Sequence, residues 1–341
     1  MHDDPQPARR PPEHHRQAPD RPPEPDGGAH RCRDRSTGWG HHGTWIWQGL
    51  PCHWRRLGDP RRPALVLLHG FGAGSGHWRH NAAELVEAGW CVYGLDLLGF
   101  GASHQPALQR WRPLDNRLWA RQLQAFLEQV VGRAAVLIGH SLGGLVALSC
   151  AVFHPGWVQA VVAAPLPDPA LMAAPSPPGR SRRCPRWWRR LRRILVRLLC
   201  RLLPLELIVP LLVHSPLLDL GLQSAYRHPV IGDPELRRVI SRPARRPGAV
   251  GSLRAMSIAM ALRPQAATAP ALLARLRRPL LLIWGRQDGL VPLAVARVCQ
   301  ESCPALSLVV LDDCGHCPHD ECPEPFHRAL LDWLGGLGLP A

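Results

Sequence analysis

Lysine is absent from this chain of 341 residues: the 41 positions counted as lysine or arginine are all arginine. A choice this one-sided reads as a coding bias toward GC-rich codons, so arginine content alone assigns no function. Acids are missing where the arginines are densest. Arg180, Arg182, Arg183, Arg186, Arg189, Arg190, Arg192, Arg193, Arg197 and Arg201 fall in one stretch without an aspartate or glutamate. The net charge is +15, and charge concentrated in this way points to a surface contact, such as anionic lipid, and away from a protein built for nucleic acid.

Other absences set the compartment. No apolar h-region follows Met1, so no signal peptide is read, and the eleven cysteines are expected to be reduced thiols in the cytoplasm. No run reaches the ~18 apolar residues that crossing a bilayer takes. The greasiest part, residues 194–218, is broken by Arg197, Arg201, Pro204, Glu206 and Pro210. Internal repeats are lacking. The length allows one large domain, or a domain of roughly 250 residues carrying a sizeable insertion.

What is present is organised around Gly139-His140-Ser141-Leu142-Gly143, a G-x-S-x-G pattern. It follows the apolar run 134–138 and precedes Leu145-Val146-Ala147-Leu148, so a strand, a sharp turn and a helix are written around one serine. That setting separates a nucleophile elbow from a chance match, because the glycines let strand and helix approach closely.

Residues 1–40 hold Pro, Arg, His and Asp with almost no aliphatics and are expected to be a disordered tail. Residues 45–57 alternate around a turn near Gln48-Gly49-Leu50-Pro51 and read as a hairpin. The continuous apolar run at 64–68 reads as a strand buried on both faces, 158–164 as another buried strand, and 90–95 and 134–138 as further strands. Between them the spacing predicts helices over 78–88, from Asp115 onward, and after Ser141. From 165 to 278 the text turns helical, arginine-rich and proline-punctuated, with no clear strand. Regularity returns with strands at 280–284 and 306–311 and helices at 292–303 and 323–334. The alternation argues a mostly parallel sheet flanked by helices. Residues 41–164 and 279–341 would be the α/β core, and 165–278 a basic, apolar helical cap inserted after strand 6.

A serine hydroxyl is a weak nucleophile until a base takes its proton, and the base needs an acid to hold its tautomer. Such groups belong in loops at the C-terminal ends of strands. Asp288 follows the strand at 280–284 and His316 follows the strand at 306–311, which makes Ser141, Asp288 and His316 the expected catalytic set. Asp168, after the preceding strand, is the alternative acid. Backbone amides of Leu142 and of Phe71, in His69-Gly70-Phe71-Gly72, are the expected oxyanion donors.

On those residues the chain resembles α/β-hydrolase-fold serine hydrolases from about Trp45 to its end, since Ser141, Asp288 and His316 follow the chain order of that fold. More narrowly, it is similar to the pheophytinase-like and chlorophyll-dephytylase-like hydrolases of cyanobacteria and plastids. The matching residues are His69-Gly70-Phe71-Gly72, His77-Trp78-Arg79-His80-Asn81, Asp96-Leu97-Leu98-Gly99-Phe100-Gly101, Arg242-Pro243-Ala244, Pro247-Gly248-Ala249, and Gly315-His316-Cys317-Pro318-His319-Asp320-Glu321 with Pro323-Glu324. The resemblance implies cleavage of a carboxylic ester of a small hydrophobic substrate, such as a phytyl ester of a chlorophyll derivative, without a cofactor. Other activities of the fold, among them lipase, thioesterase, C–C hydrolase and perhydrolase, and a non-catalytic binding protein are the alternatives. Ser141 stands where haloalkane dehalogenases and epoxide hydrolases of this fold carry aspartate, and Leu142 replaces a frequent tryptophan, which disfavours an alkyl-aspartate mechanism. The cap is more arginine-rich than that family leads one to expect.

Two patterns compete with these assignments. Cys314, His316, Cys317, His319 and Cys322 crowd together as zinc ligands would, but a base cannot also ligate metal, so no metal is expected and the cysteines read as small buried fillers. Within residues 180–203 the arginines alternate with Trp187, Trp188, Leu191, Ile194, Leu195, Leu198 and Leu202 at helical spacing. That suits an interfacial helix making peripheral membrane contact, or a lid helix whose apolar face covers the active site.

Overall fold

The computed structural model describes residues 38–107, 113–172 and 186–339. The tail expected at the N-terminus and the arginines from Arg180 to Arg183 therefore lie outside the described residues, apart from 38–40. Strand β1 (His41–Trp47) and β2 (Leu50–Leu57) make the hairpin. Its turn is tighter than the sequence suggested: Gln48 (φ 51°) and Gly49 (φ 79°) close it alone. Two successive left-handed residues match the twist of the strands they join, and Pro51 is already paired with Ile46.

Next come β3 (Ala64–Leu68), α1 (Ala82–Glu87), β4 (Cys91–Leu95), α2 (Asn116–Phe126), β5 (Ala135–His140), α3 (Leu142–Phe153) and β6 (Val158–Ala164). The helix expected over 78–88 is shorter because its start is spent on other contacts. Ser75–Trp78 form a tight 3-10 turn, and Asn81 donates from Nδ2 to the His319 carbonyl at 2.8 Å. Asp115 caps α2 by accepting from the Arg117 amide, satisfying one of the donors that a helix start leaves open.

Only helices occur between β6 and β7 among the described residues: α4 (Pro169–Met172), α5 (Arg186–Leu202), α6 (Leu205–His214), α7 (Leu217–Gln223), α8 (Pro234–Ala244), α9 (Ala249–Ala261) and α10 (Ala269–Leu273). The sheet resumes with β7 (Leu280–Gly285), α11 (Ala294–Ser302), β8 (Ser307–Leu311), α12 (Pro318–Glu321) and α13 (Pro323–Gly336).

The eight strands lie in the order β1-β2-β4-β3-β5-β6-β7-β8. β1 and β2 run antiparallel and the six others parallel. Alternate residues of β3 serve two cores, as the period of a strand requires. Val66 and Leu68 join a cluster with Trp119, Leu145 and Leu272 from α2, α3 and α10. Leu65 and Leu67 join Leu85, Phe326 and Leu330 from α1 and α13 on the other face. With helices on both faces, the loops that carry chemistry leave from the C-terminal ends of the parallel strands.

Candidate active site

Ser141 links the end of β5 to the start of α3 with φ 51° and ψ −115°, a conformation that residues with a side chain rarely adopt. Close packing enforces the bend. A Cβ on Gly139 would lie 2.2 Å from the Gly143 backbone, and one on Gly143 would lie 2.3 Å from the Leu68 carbonyl oxygen. Strand, elbow and helix therefore touch backbone to backbone, and the serine is lifted off the sheet edge.

Three loops converge there. His316, after β8, has Nε2 3.0 Å from Ser141 Oγ and Nδ1 2.9 Å from Asp288 Oδ2. Asp288, after β7, accepts from the Leu290 and Val291 amides through Oδ1 at 2.9 and 2.8 Å. Its other oxygen is left to His316. The pattern puts the His316 proton on Nδ1, donated to the carboxylate, and turns the Nε2 lone pair toward the hydroxyl. All three residues are buried, so few waters compete for these bonds. Such a row can draw the Ser141 proton onto His316 as the oxygen attacks.

The loop after β3 runs past the serine. A Cβ on Gly70 would meet His140 Nδ1 at 2.4 Å and Ser141 Cβ at 3.4 Å, so only glycine allows this approach. His69 holds the loop by accepting from the Leu97 amide at Nε2 (3.1 Å), with Nδ1 donating to the Gly70 carbonyl (2.8 Å). Among the described residues, the Phe71 and Leu142 amides have no protein acceptor. Both are thus available as donors.

The sequence-based alternatives separate cleanly. Asp168 is far from this role: it accepts from Arg263 Nη2 at 2.6 Å and from the Ala170 and Ala269 amides, a buried structural pair. The crowded cysteines and histidines point in different directions. His316 faces Ser141, whereas His319 turns to His77 and His140. Cys314 and Cys322 stand with Glu321, and Cys317 packs with Tyr226. Among the described residues, His77, His140 and His319, and separately Cys314, Glu321 and Cys322, have ligand atoms within 4.8 Å of one another and are groups that could hold a metal ion. Helix α5 does not lay its apolar face over the site: Leu191, Ile194, Leu195, Leu198 and Leu202 are all exposed.

Comparison with known proteins agrees with this architecture. The family model described as alpha/beta hydrolase fold matches residues 63–323. The chain belongs to the alpha/beta hydrolase fold family. The hydrolase is 28% identical over 286 residues to pimeloyl-[acyl-carrier protein] methyl ester esterase of Vibrio vulnificus (strain YJ016), covering 83% of this chain and 98% of that protein. It is 32% identical over 123 residues to epoxide hydrolase 4 of Mus musculus, 36% of this chain and 33% of that one. The solved structure of a hydrolase from Pseudomonas aeruginosa PA01 superposes with a TM-score of 0.65 at 20% identity, covering 87% of this chain and all of that one (100%).

Several residues of the hydrolase shape the site in roles that the sequence reading did not assign. Asp96 accepts from the Ser75 and Ala102 amides and from His53 Nδ1, tying the β3 and β4 loops together. Burial would raise its pKa, but the His53 contact, nearby His69 and the Ala102 amide together outweigh that and hold the carboxyl well below the usual range. The segment between β6 and β7 reaches the site through Ala225, whose carbonyl accepts from the His316 amide at 2.8 Å. Beside it, Tyr226 donates to Asp320 and accepts from His77 Nε2, both at 2.9 Å. Arg79 bridges Asp320 and Asp233. No short motif marks Tyr226, because its partners lie far away along the chain.

Behind Ser141 lie three buried imidazoles. Burial lowers the pKa of His77 to about 4, and burial with the neighbouring rings lowers His140 and His319 well below 6.5. His77 is therefore neutral near pH 7, and its 3.9 Å approach to Asp320 is not an ion pair. His140 Nε2 donates to the His316 carbonyl at 3.1 Å, bracing the loop that carries His316.

Proposed function

We propose that the hydrolase cleaves a carboxylic ester of a hydrophobic substrate through an acyl-enzyme on Ser141. The observation that carries this reading is the unbroken row Asp288–His316–Ser141, with two free amides beside it. His316 Nε2 accepts the hydroxyl proton as Ser141 Oγ bonds to the acyl carbon, and the carbonyl electron pair moves onto oxygen. The Phe71 and Leu142 amides hold that oxyanion, each worth about 3 to 4 kcal/mol. Collapse breaks the bond to the alcohol, which leaves with the proton from His316. Water repeats the sequence and frees the acid. Asp288 orients His316 throughout.

An apolar cavity of about 180 Å³ supports the hydrophobic substrate. It runs from Phe71 and Gly72, on the loop that offers the amide, to Val213, Leu218 and Ile240. We read residues 165–278 as the cap that sets specificity, because α6, α7 and α8 supply that wall. The narrower likeness to pheophytinase-like hydrolases makes a phytyl ester one candidate; the Vibrio vulnificus relative makes a methyl ester of an acyl chain another. The exposed apolar residues of α5 favour peripheral membrane contact over a lid covering Ser141. A serine at position 141 favours ester cleavage over the epoxide opening in the name of the mouse relative.

A panel of p-nitrophenyl, methyl, long-chain and phytyl esters, run with wild type and Ser141→Ala, tests the reading. Wild type is expected to favour longer acyl or alcohol groups over acetate. Ser141→Ala is expected to lose about six orders of magnitude in kcat. Equal turnover by the two would remove Ser141 from the mechanism.

A further inference from the structure

Helices α5, α6 and α7 carry an unusual surface. On α5, Leu191, Ile194, Leu195, Leu198 and Leu202 face outward, while half-buried Val196 and Cys200 turn inward and Arg192 donates to the Ala261 carbonyl at the end of α9. On α6 the outward residues are Leu207 (72% exposed), Ile208 and Leu211 (66% exposed). Large apolar residues exposed in this number on two consecutive helices point to a partner that covers them. α6 and α7 are apolar enough to pass together as a membrane span but bend by 84° at their junction. The bend suits a pair lying in an interface.

We propose that this face docks on an anionic lipid bilayer and that the ester passes from the bilayer into the cavity directly behind α6. Charge selects the occupant. Exposed Arg190, Arg193, Arg197 and Arg201 form a row along α5, which carries no acid. The acids on α6 and α7 are already engaged, Glu206 with Arg254 and Asp219 with Arg237. A second copy of the chain would bring arginine against arginine, whereas lipid phosphates neutralise the row while the leucines enter the acyl region. Trp187 and Trp188, exposed at the start of α5, suit the headgroup level, where an apolar ring with one polar edge is at home.

The same helix closes the cavity. Val209, Leu212 and Val213 of α6 line it from within, and Leu207, Ile208 and Leu211 lie outside. A lipid ester that slips past α6 enters apolar space that ends at Phe71 and Gly72, on the loop that carries one of the proposed oxyanion donors. The substrate class is accordingly a bilayer-resident ester with at least one long acyl or prenyl chain. The delivery step rests on the ester-hydrolase reading; the docking does not.

The test uses the full chain and vesicles of phosphatidylcholine with and without phosphatidylglycerol. Wild type is expected to co-sediment with the anionic vesicles at low salt and to hydrolyse a long-chain ester embedded in them. Both the triple change Arg193→Gln, Arg197→Gln, Arg201→Gln and the pair Leu207→Gln, Leu211→Gln are expected to bind at least about tenfold more weakly. They should retain p-nitrophenyl acetate turnover and the wild-type circular dichroism. Ala244→Trp, which fills the cavity, should keep vesicle binding and lose the embedded ester. Binding that is equal on neutral vesicles, or unchanged in both variants, overturns the docking. Vesicle binding with an unaltered embedded rate in Ala244→Trp overturns the route. If wild type binds vesicles but hydrolyses no ester, the catalytic reading fails while the docking stands.

Discussion

Ser141 is held at φ 51° by the packing of Gly139 and Gly143, and its hydroxyl has one buried basic neighbour, His316. The proton on that imidazole is fixed by Asp288, whose second oxygen is saturated by two amides. Asp288→Asn should leave the hydrogen-bonded geometry in place but favour the wrong tautomer. By the precedent of other serine triads it is expected to lower kcat by about 10⁴ with little change in KM; steady-state kinetics on a soluble ester checks it. These three residues were legible because each follows a recognisable buried strand, and strand ends are where loops meet. The roles of Tyr226 and Asp96 were not: both act through partners that only the folded sheet brings near.

Among the elements, the elbow and α5 teach different lessons. The elbow depends on backbone contact, so Gly139→Ala forces a Cβ to within 2.2 Å of the Gly143 carbonyl carbon. Overpacking of this kind costs about 1 to 3 kcal/mol or more, and neither backbone can move without displacing Ser141. The variant should melt earlier in a thermal scan and lose activity together. Strand positions were readable because burial on both faces leaves only apolar residues. α5 was read as amphipathic from its spacing, but spacing does not say which face meets the protein. Val196 and Cys200 at the edge of the apolar strip decide that, and they leave the leucines outside. The helix expected from residue 78 failed at its start because Trp78 and Asn81 are drawn into contacts with the His319 segment, a tertiary demand that overrides local propensity.

The whole molecule buries His77, His140 and His319 as neutral rings. In the unfolded chain each takes up a proton near pH 6.5; in the folded protein His77 does so only near pH 4, and the other two are also strongly depressed. Between those values the unfolded state binds more protons, so stability is full above pH 6.5 and falls as the pH drops. For His77 alone the loss is about 2 kcal/mol by pH 5. The lowered pKa values of Asp96 and Asp320 act only below the ordinary carboxylate range, outside this window. Melting temperatures measured from pH 7.5 to pH 5 are therefore expected to fall steadily, and a flat profile would mean that the three rings are accessible to solvent. The order of strands and helices could be read from the chain, whereas the outward face of the segment between β6 and β7 could not, because it depends on how separate helices stack.

The central claim is that Ser141 is an activated nucleophile. The most direct measurement treats the folded hydrolase with a fluorophosphonate and maps the adduct by peptide mass spectrometry. A single adduct on Ser141, not formed when the protein is unfolded before treatment and strongly slowed in His316→Ala, is the result expected. No adduct in the folded protein, or one on another residue with Ser141 unmodified, would contradict the account.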